Sequence, residues 1–328
     1  MENSLKNIRI QNFKSLKDVQ MSCERINVIV GKPNVGKSNL LEALALLGPN
    51  YLSSGEAFGR HQIRYEEASD LFFDQEYFEN SISIEIDGLM IAQLYYEKER
   101  FNYKMSIKAI GEVSALFSNS GIINAFNVDA ENIFFPSKFY KFFDHQQFNS
   151  TTKSISLMPP GGGNLLSILQ NNKSVRQEAG NLFEPYGLEL LVDSKQNKLE
   201  IVKRKEGVLF KTPYSLVADT LRRYLFHFAA IESNRDSVLI FEEPESHNFP
   251  PYIQKLARKI IESESNQFFI TTHSPFLFNI LVEEAKDVAV FVAEYDDFQT
   301  KIHRLSESSL REMMDYGLNI FTEQELFV

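Results

Sequence analysis

The sequence predicts an α/β fold with a mixed or parallel central sheet, an antiparallel β lobe and a helical insertion, and three stretches carry that prediction. First, 26–30 (Ile-Asn-Val-Ile-Val) is nearly all apolar and β-branched, which suits a strand buried on both faces. A glycine loop and the helix-forming run 39–47 follow it directly. Second, 238–241 and 267–271 are again apolar strands, with a helix over 251–262 between them, the order expected of a parallel sheet. Third, 81–86, 91–97 and 102–107 alternate apolar and polar residues, as antiparallel hairpins do.

The remaining elements fill in around these. Short strands are expected at 5–11 and 16–21, and 111–156 reads as helical or irregular, with Phe134, Phe135, Phe139, Tyr140, Phe142 and Phe143 serving either a core or a protein contact. Pro159-Pro160-Gly161-Gly162-Gly163-Asn164 breaks the chain before a helix at 165–169, with Asn164 as its N-cap. A three-strand meander over 188–192, 198–203 and 207–211 precedes a helix at 216–232, and a hairpin pairs 288–292 with 301–305. The expected division is therefore 1–110 (glycine loop and β lobe), 111–187 (helical, aromatic insertion) and 188–328 (the rest of the central sheet).

Composition narrows the function classes. With 43% hydrophobic residues and no apolar run long enough for a membrane span, a folded cytoplasmic protein without membrane association is expected. Cys23 is the single cysteine, so no internal disulfide can form, which suits a reducing compartment. The N-terminus carries no basic stretch ahead of an apolar core and so does not read as a secretory signal. A net charge of −10 opposes broad attraction to nucleic acid. The local exception is Lys195, Lys198, Lys203, Arg204, Lys205 and Lys211 with Arg222 and Arg223, read either as a solvated hairpin face or as a DNA contact.

The chemistry starts at Gly31-Lys32-Pro33-Asn34-Val35-Gly36-Lys37-Ser38, a complete GxxxxGK[ST] pattern between a buried strand and a helix. Glycines let backbone N–H groups curl around phosphates, and the helix N-terminus adds partial positive charge. Gly31, Asn34, Gly36, Lys37, Ser38 and Asn39 are thus candidate ATP contacts, with Lys37 on the β and γ phosphates and Ser38 on Mg²⁺. The strand 238–241 ends in Glu242 and Glu243, carboxylates at a buried strand tip that need a partner. Glu242 is a candidate water-mediated ligand of Mg²⁺, and Glu243 a general base or the group that orients the attacking water. The next apolar strand ends at His273, which can return to the same sheet edge and hydrogen-bond the γ-phosphate.

Glu242-Glu243-Pro244-Glu245-Ser246-His247 with Pro250 resembles the Walker B and D-loop segment of the OLD (overcoming lysogenization defect) family and related RecF-like ATPases. Thr272-His273-Ser274-Pro275 resembles their switch-histidine loop, and Asn12-Phe13-Lys14-Ser15 their N-terminal motif, which implies Lys14 as a further nucleotide ligand. The resemblance implies a P-loop NTPase of the ABC type: an ATPase head like those of RecF and SMC proteins, closing on ATP as a homodimer or higher homo-oligomer. It also implies a separately encoded effector, a nuclease or toxin, in bacterial anti-phage defence. Two departures stand out. Where the family carries Leu-Ser-x-Gly before Walker B, this chain has Ser215-Leu216-Val217-Ala218-Asp219, losing a hydroxyl and placing a carboxylate near an anion, which implies slow hydrolysis. The stretch after His273 is too short for a Toprim nuclease, and Asp296-Asp297 reads as a turn. Gln62 and Gln75 are the candidates for a Q-loop glutamine.

Overall fold

A computed structural model describes residues 4–48, 57–59, 62–108, 111–128, 137–144, 148 and 154–323. The chain opens with an antiparallel hairpin, β1 (Asn7–Phe13) and β2 (Leu16–Ser22), and then β3 (Ile26–Val30), the phosphate loop and α1 (Lys37–Ala45). Five more antiparallel strands extend the hairpin into a lobe: β4 (Ile82–Ile86), β5 (Met90–Glu97), β6 (Arg100–Ile107), β7 (Gly111–Phe117) and β8 (Ile123–Val128). The lobe is a seven-stranded sheet in the order β2-β1-β4-β5-β6-β7-β8.

The stretch 111–156, expected to be helical or irregular, is mostly extended where it is described. Val113, Ala115 and Phe117 alternate inward, and Phe117 stacks on Phe58 at 4.5 Å. The inward Ala115 and the outward Leu116 blur that two-residue period in the sequence. Phe134 and Phe135 lie outside the described residues. Phe139 and Tyr140 are buried in β9 (Ser137–Tyr140), so the core reading applies to them.

Within 111–187, the helices among the described residues are α2 (Leu165–Asn171) and α3 (Lys173–Phe183), followed by a short 3-10 turn at Glu184–Tyr186. Asn164 occupies the N-cap position of α2, but its side chain holds the preceding loop instead. The Met158 N–H donates to Oδ1 at 2.7 Å, and Nδ2 donates to the Ser156 carbonyl at 2.9 Å. The meander forms as its own three-stranded sheet, β10 (Leu188–Asp193), β11 (Lys198–Lys205) and β12 (Val208–Pro213). Then come α4 (Asp219–Ser233), β13 (Val238–Glu242), α5 (Pro250–Glu262), β14 (Gln267–Thr271), α6 (Pro275–Glu284), β15 (Val288–Asp296), β16 (Gln299–Arg304) and α7 (Glu307–Tyr316). Among the described residues no helix is long and apolar enough to cross a membrane.

The central sheet has the order β16-β15-β3-β14-β13-β9, parallel from β15 to β9, with β16 antiparallel at one edge. Its middle strands are buried on both sides. Ile29, Ile240 and Phe269 face a core shared with α1 and the β lobe, while Val28, Phe241 and Ile270 face α4, α5 and α6. This double burial is why β3, β13 and β14 read as continuous apolar runs.

Asn27 is the polar exception in β3, fully buried, and it joins the sheet to the turn before it. Its Oδ1 accepts from the Glu24 N–H at 2.9 Å, and its Nδ2 donates to the carbonyls of Glu24 at 2.8 Å and Phe268 at 3.0 Å. Removing it strands buried backbone groups, each worth about 1–3 kcal/mol. Asn27→Ala is expected to lower unfolding free energy by about 2–4 kcal/mol, read from urea transitions followed by circular dichroism. An unchanged midpoint would contradict this role.

Candidate nucleotide site

Strand register sets the site. Ile29 pairs with Thr271, and Thr271 pairs with Glu242, so β3, β14 and β13 end at one level. The phosphate loop, the two carboxylates and the His273 turn all leave the sheet at that carboxyl edge, where open α/β sheets bind ligands. A cavity of about 480 Å³ lies there, lined among others by Asn34, Gly36, Lys37, Ser38, Glu243 and His273.

The loop's shape depends on absent side chains. Gly36 has φ +92°, and a Cβ there would sit 2.0 Å from Thr300 Oγ1; one on Gly31 would sit 2.4 Å from the Ala293 carbonyl oxygen. Lys37 is almost fully buried, and its ammonium donates to the carbonyls of Gly31 at 2.9 Å and Lys32 at 2.8 Å. Burial pushes its pKa down, while the Glu243 and Glu242 charges pull it back up. The Ser38 hydroxyl donates to Glu242 Oε1, which brings the two candidate Mg²⁺ ligands into direct contact.

Glu243 is in the left-handed region, φ +44°, held there by its N–H donating to the carbonyl and hydroxyl of Thr271 at 3.0 and 3.3 Å. A non-glycine residue so placed stores strain at the tip of β13, a common property of functional positions. Its Oε2 accepts from the Ser246 hydroxyl at 3.1 Å, and its Oε1 lies 3.5 Å from His273 Nε2. Burial, and then the Lys37 charge, push the His273 pKa below the usual imidazole value, against a smaller upward pull from Glu243. The ring is consequently neutral near pH 7.

Several expected residues land elsewhere. Lys14 is not among the residues that line the cavity: its ammonium pairs with the buried Glu42 carboxylate on α1 and donates to the Arg64 carbonyl. Arg64, on a loop that no motif marked, lines the cavity instead and donates its Nε to Glu42 at 2.6 Å. Asn39 does line the cavity, and its amide donates to the Ser15 hydroxyl at 2.8 Å. Gln62 is buried and Gln75 bonds Asp70, and neither lines the cavity. Asp297 and Phe298, both at positive φ, form the turn between β15 and β16. At the signature position the Asp219 carboxylate is occupied by its own helix, accepting from Arg223 Nε at 2.6 Å and Arg222 at 3.3 Å. Arg223 also lies over Phe142, and Arg222 is buried, so neither extends the basic face of β11 and β12, where Lys211 pairs with Glu200.

Glu245 had no assigned role. It is over nine-tenths buried, and its Oε1 accepts from the Thr272 hydroxyl at 2.6 Å and the His273 N–H at 3.1 Å, tying the turn after β13 to the histidine turn. Its Oε2 is buried without a hydrogen-bond partner. The two oxygens thus differ completely in surroundings.

The sheet order, the phosphate loop, Glu242 at Ser38 and Glu243 facing a histidine are those of an ABC-type P-loop ATPase of the RecF/SMC group. Residues 26–279 match the family model described as AAA domain, putative AbiEii toxin, Type IV TA system, and the chain belongs to that family. The DNA replication and repair protein RecF of Caldanaerobacter subterraneus subsp. tengcongensis is 39% identical over 105 residues, 31% of this chain and 24% of RecF. The match spans about a quarter of that relative's length. Among solved structures, an SMC head bound to the C-winged helix domain of ScpA superposes with a TM-score of 0.55 at 15% identity, covering 93% of this chain and 99% of that one. An SMC head with an extended coiled coil bound to the C-terminal domain of ScpA, derived from Pyrococcus furiosus, gives 0.50 at 14% identity, covering 96% and 99%. At those identities the likeness concerns the fold.

Burial raises the Glu245 pKa above the ordinary glutamate value. An acid so shifted binds its proton more tightly folded than unfolded, so its contribution is full at low pH and is lost as pH rises through the folded pKa. Glu245→Gln keeps the neutral shape. The melting temperature of Glu245→Gln minus that of the parent is expected to increase from about pH 4 to about pH 8. A difference that stays flat with pH would show that burial leaves this carboxyl unshifted.

Proposed function

We propose that this chain binds ATP with Mg²⁺ and hydrolyses it, and that nucleotide-dependent pairing of two copies controls a separately encoded effector protein. The observation that carries the catalytic half is the convergence of Lys37, Ser38, Glu243 and His273 on one cavity, with Glu242 hydrogen-bonded to Ser38. Lys37 exchanges the Gly31 and Lys32 carbonyls for the β and γ phosphates. Gly31, Asn34, Gly36 and Asn39 shape the backbone around the triphosphate, and the start of α1 lends its dipole. Ser38 and Glu242 are oxygen donors, in the number Mg²⁺ takes from protein when phosphates complete its shell. Bound there, the ion would neutralise charge developing on the phosphates.

Glu243 accepts the proton of the attacking water, with Ser246 holding its second oxygen. The neutral His273 donates one N–H to the γ-phosphate, and Glu245 fixes the backbone from which that ring projects. Val217 and Asp219 at the signature favour slow turnover, because the segment offers a partner copy no serine hydroxyl at that position. The Asp219 charge itself is offset by Arg222 and Arg223, which leaves the helix end less repellent to an anion than its sequence implies.

The regulatory half, a cytoplasmic anti-phage or toxin component close to the OLD family, is supported by the motif resemblance and by the family's description as a putative toxin of a type IV TA system. The SMC heads whose titles record a bound ScpA domain support a head of this shape engaging another protein. A second reading, DNA repair in the manner of RecF, is favoured by the 39% identity to that protein. It predicts salt-sensitive DNA binding that charge reversal of Lys203, Arg204 and Lys205 removes.

Phosphate release by the purified chain tests the core of the proposal. Glu243→Gln is expected to reduce turnover by about 100-fold or more while retaining ATP. Lys37→Ala is expected to lose ATP itself. Turnover unchanged by Glu243→Gln would remove Glu243 from the chemistry.

A further inference from the structure

Lys37, Ser38 and Glu243 account for the phosphate end of the cavity. A hairpin far away in sequence packs against the same loop and adds a further residue to the cavity wall. The carbonyl of Ala293, near the end of β15, stands against Gly31, and Thr300 of β16 is wired into the phosphate loop. The Thr300 hydroxyl donates to the Val35 carbonyl at 2.9 Å, and the Thr300 and Ser15 hydroxyls share a hydrogen bond of 2.6 Å. Ser15 in turn receives Asn39 from the first turn of α1. Tyr295 pairs directly with Thr300 across the hairpin. Opposed residues of an antiparallel pair share a face, so the tyrosine lies on the side of the hairpin that meets the loop.

Tyr295 lines the same cavity, yet 51% of its surface remains exposed. Among the described residues lining that cavity it contributes the one carbocyclic ring; the others are small, polar or charged, and the His273 imidazole is engaged beside Glu243. An aromatic face held half-open at the rim of a phosphate site has the chemistry to stack a planar base, an interaction worth having with any nucleobase.

We propose that Tyr295 is the base platform of this site, stacking the purine of the bound nucleotide and so separating a nucleoside triphosphate from bare polyphosphate. This rests on the reading of the cavity as an ATP site. The Thr300 and Ser15 hydrogen bonds hold the platform in register with the loop, so base and phosphates are read by parts of one rigid unit.

Competition against a fluorescent ATP analogue, with ATP and with inorganic tripolyphosphate, tests the proposal on the full chain. Tyr295→Ala is expected to weaken ATP by about tenfold or more and leave tripolyphosphate unchanged. Tyr295→Phe is expected to keep ATP affinity within about twofold, since the ring does the stacking. Tyr295→Ala binding ATP like the parent overturns the platform while the phosphate-loop reading stands. Equal loss of both ligands, with an unchanged melting temperature, overturns it as well, because the tyrosine would then serve the loop. A base-selective loss in Arg64→Ala but not in Tyr295→Ala assigns the role to the guanidinium and overturns it. A parent chain that binds neither ligand would instead defeat the ATP reading, and with it the proposal.

Discussion

The arrangement rests on the parallel register of three strands buried on both faces. Once β3, β14 and β13 are flanked by the β lobe on one side and by helices on the other, their bodies can hold almost nothing polar. Charged groups are pushed to the strand ends, and parallel pairing brings those ends together. The pairs Ile29 with Thr271 and Thr271 with Glu242 convert segments distant in sequence into one edge. Shifting one strand by a residue would turn its apolar faces around and move its charged tip out of level with the others.

Four glutamates of the site and its supports, in a chain of net charge −10, each have a different environment. Glu42 is buried between Lys14 and Arg64. Glu242 accepts from Ser38, while Glu243 faces His273 and the open cavity. Glu245 is sealed behind the histidine turn with one oxygen satisfied and the other bare. Identical side chains thereby acquire distinct surroundings: a counter-ion to two cations, a partner of the Ser38 hydroxyl, a half-exposed carboxylate beside an imidazole and an interior tether. Differential burial of like groups is how one side-chain type performs several tasks at a single pH.

The phosphate loop is also held from outside the sheet. Thr300 bonds Val35, Ser15 joins Thr300 to Asn39, and the β16 strand that supplies Thr300 closes the sheet edge next to β15. The N-terminal hairpin and the C-terminal hairpin therefore meet on the loop. The Thr220 hydroxyl donates to the His247 carbonyl at 2.7 Å, joining the start of α4 to the turn after β13.

Much of this was legible in sequence where chemistry is local. The glycine loop between a buried strand and a helix, the acidic pair after 238–241 and the histidine after 267–271 are signals of neighbouring residues, and the fold class follows from their order. The helices α3, α6 and α7 are absent from the sequence reading, although the side chains of Asn172, Ser274 and Ser306 cap them locally. What only tertiary structure decided are the partnerships between distant residues. Lys14 carries the family-like motif but belongs to Glu42, and Arg64 reaches the cavity without any motif. Asp219 is offset by its own helix, and Tyr295 faces the loop because β16 positions it. Sequence alone determined which groups had to end up at a strand tip, because burial leaves them nowhere else; packing determined which of them face one another, because a side chain's partner depends on the space left by residues hundreds of positions away.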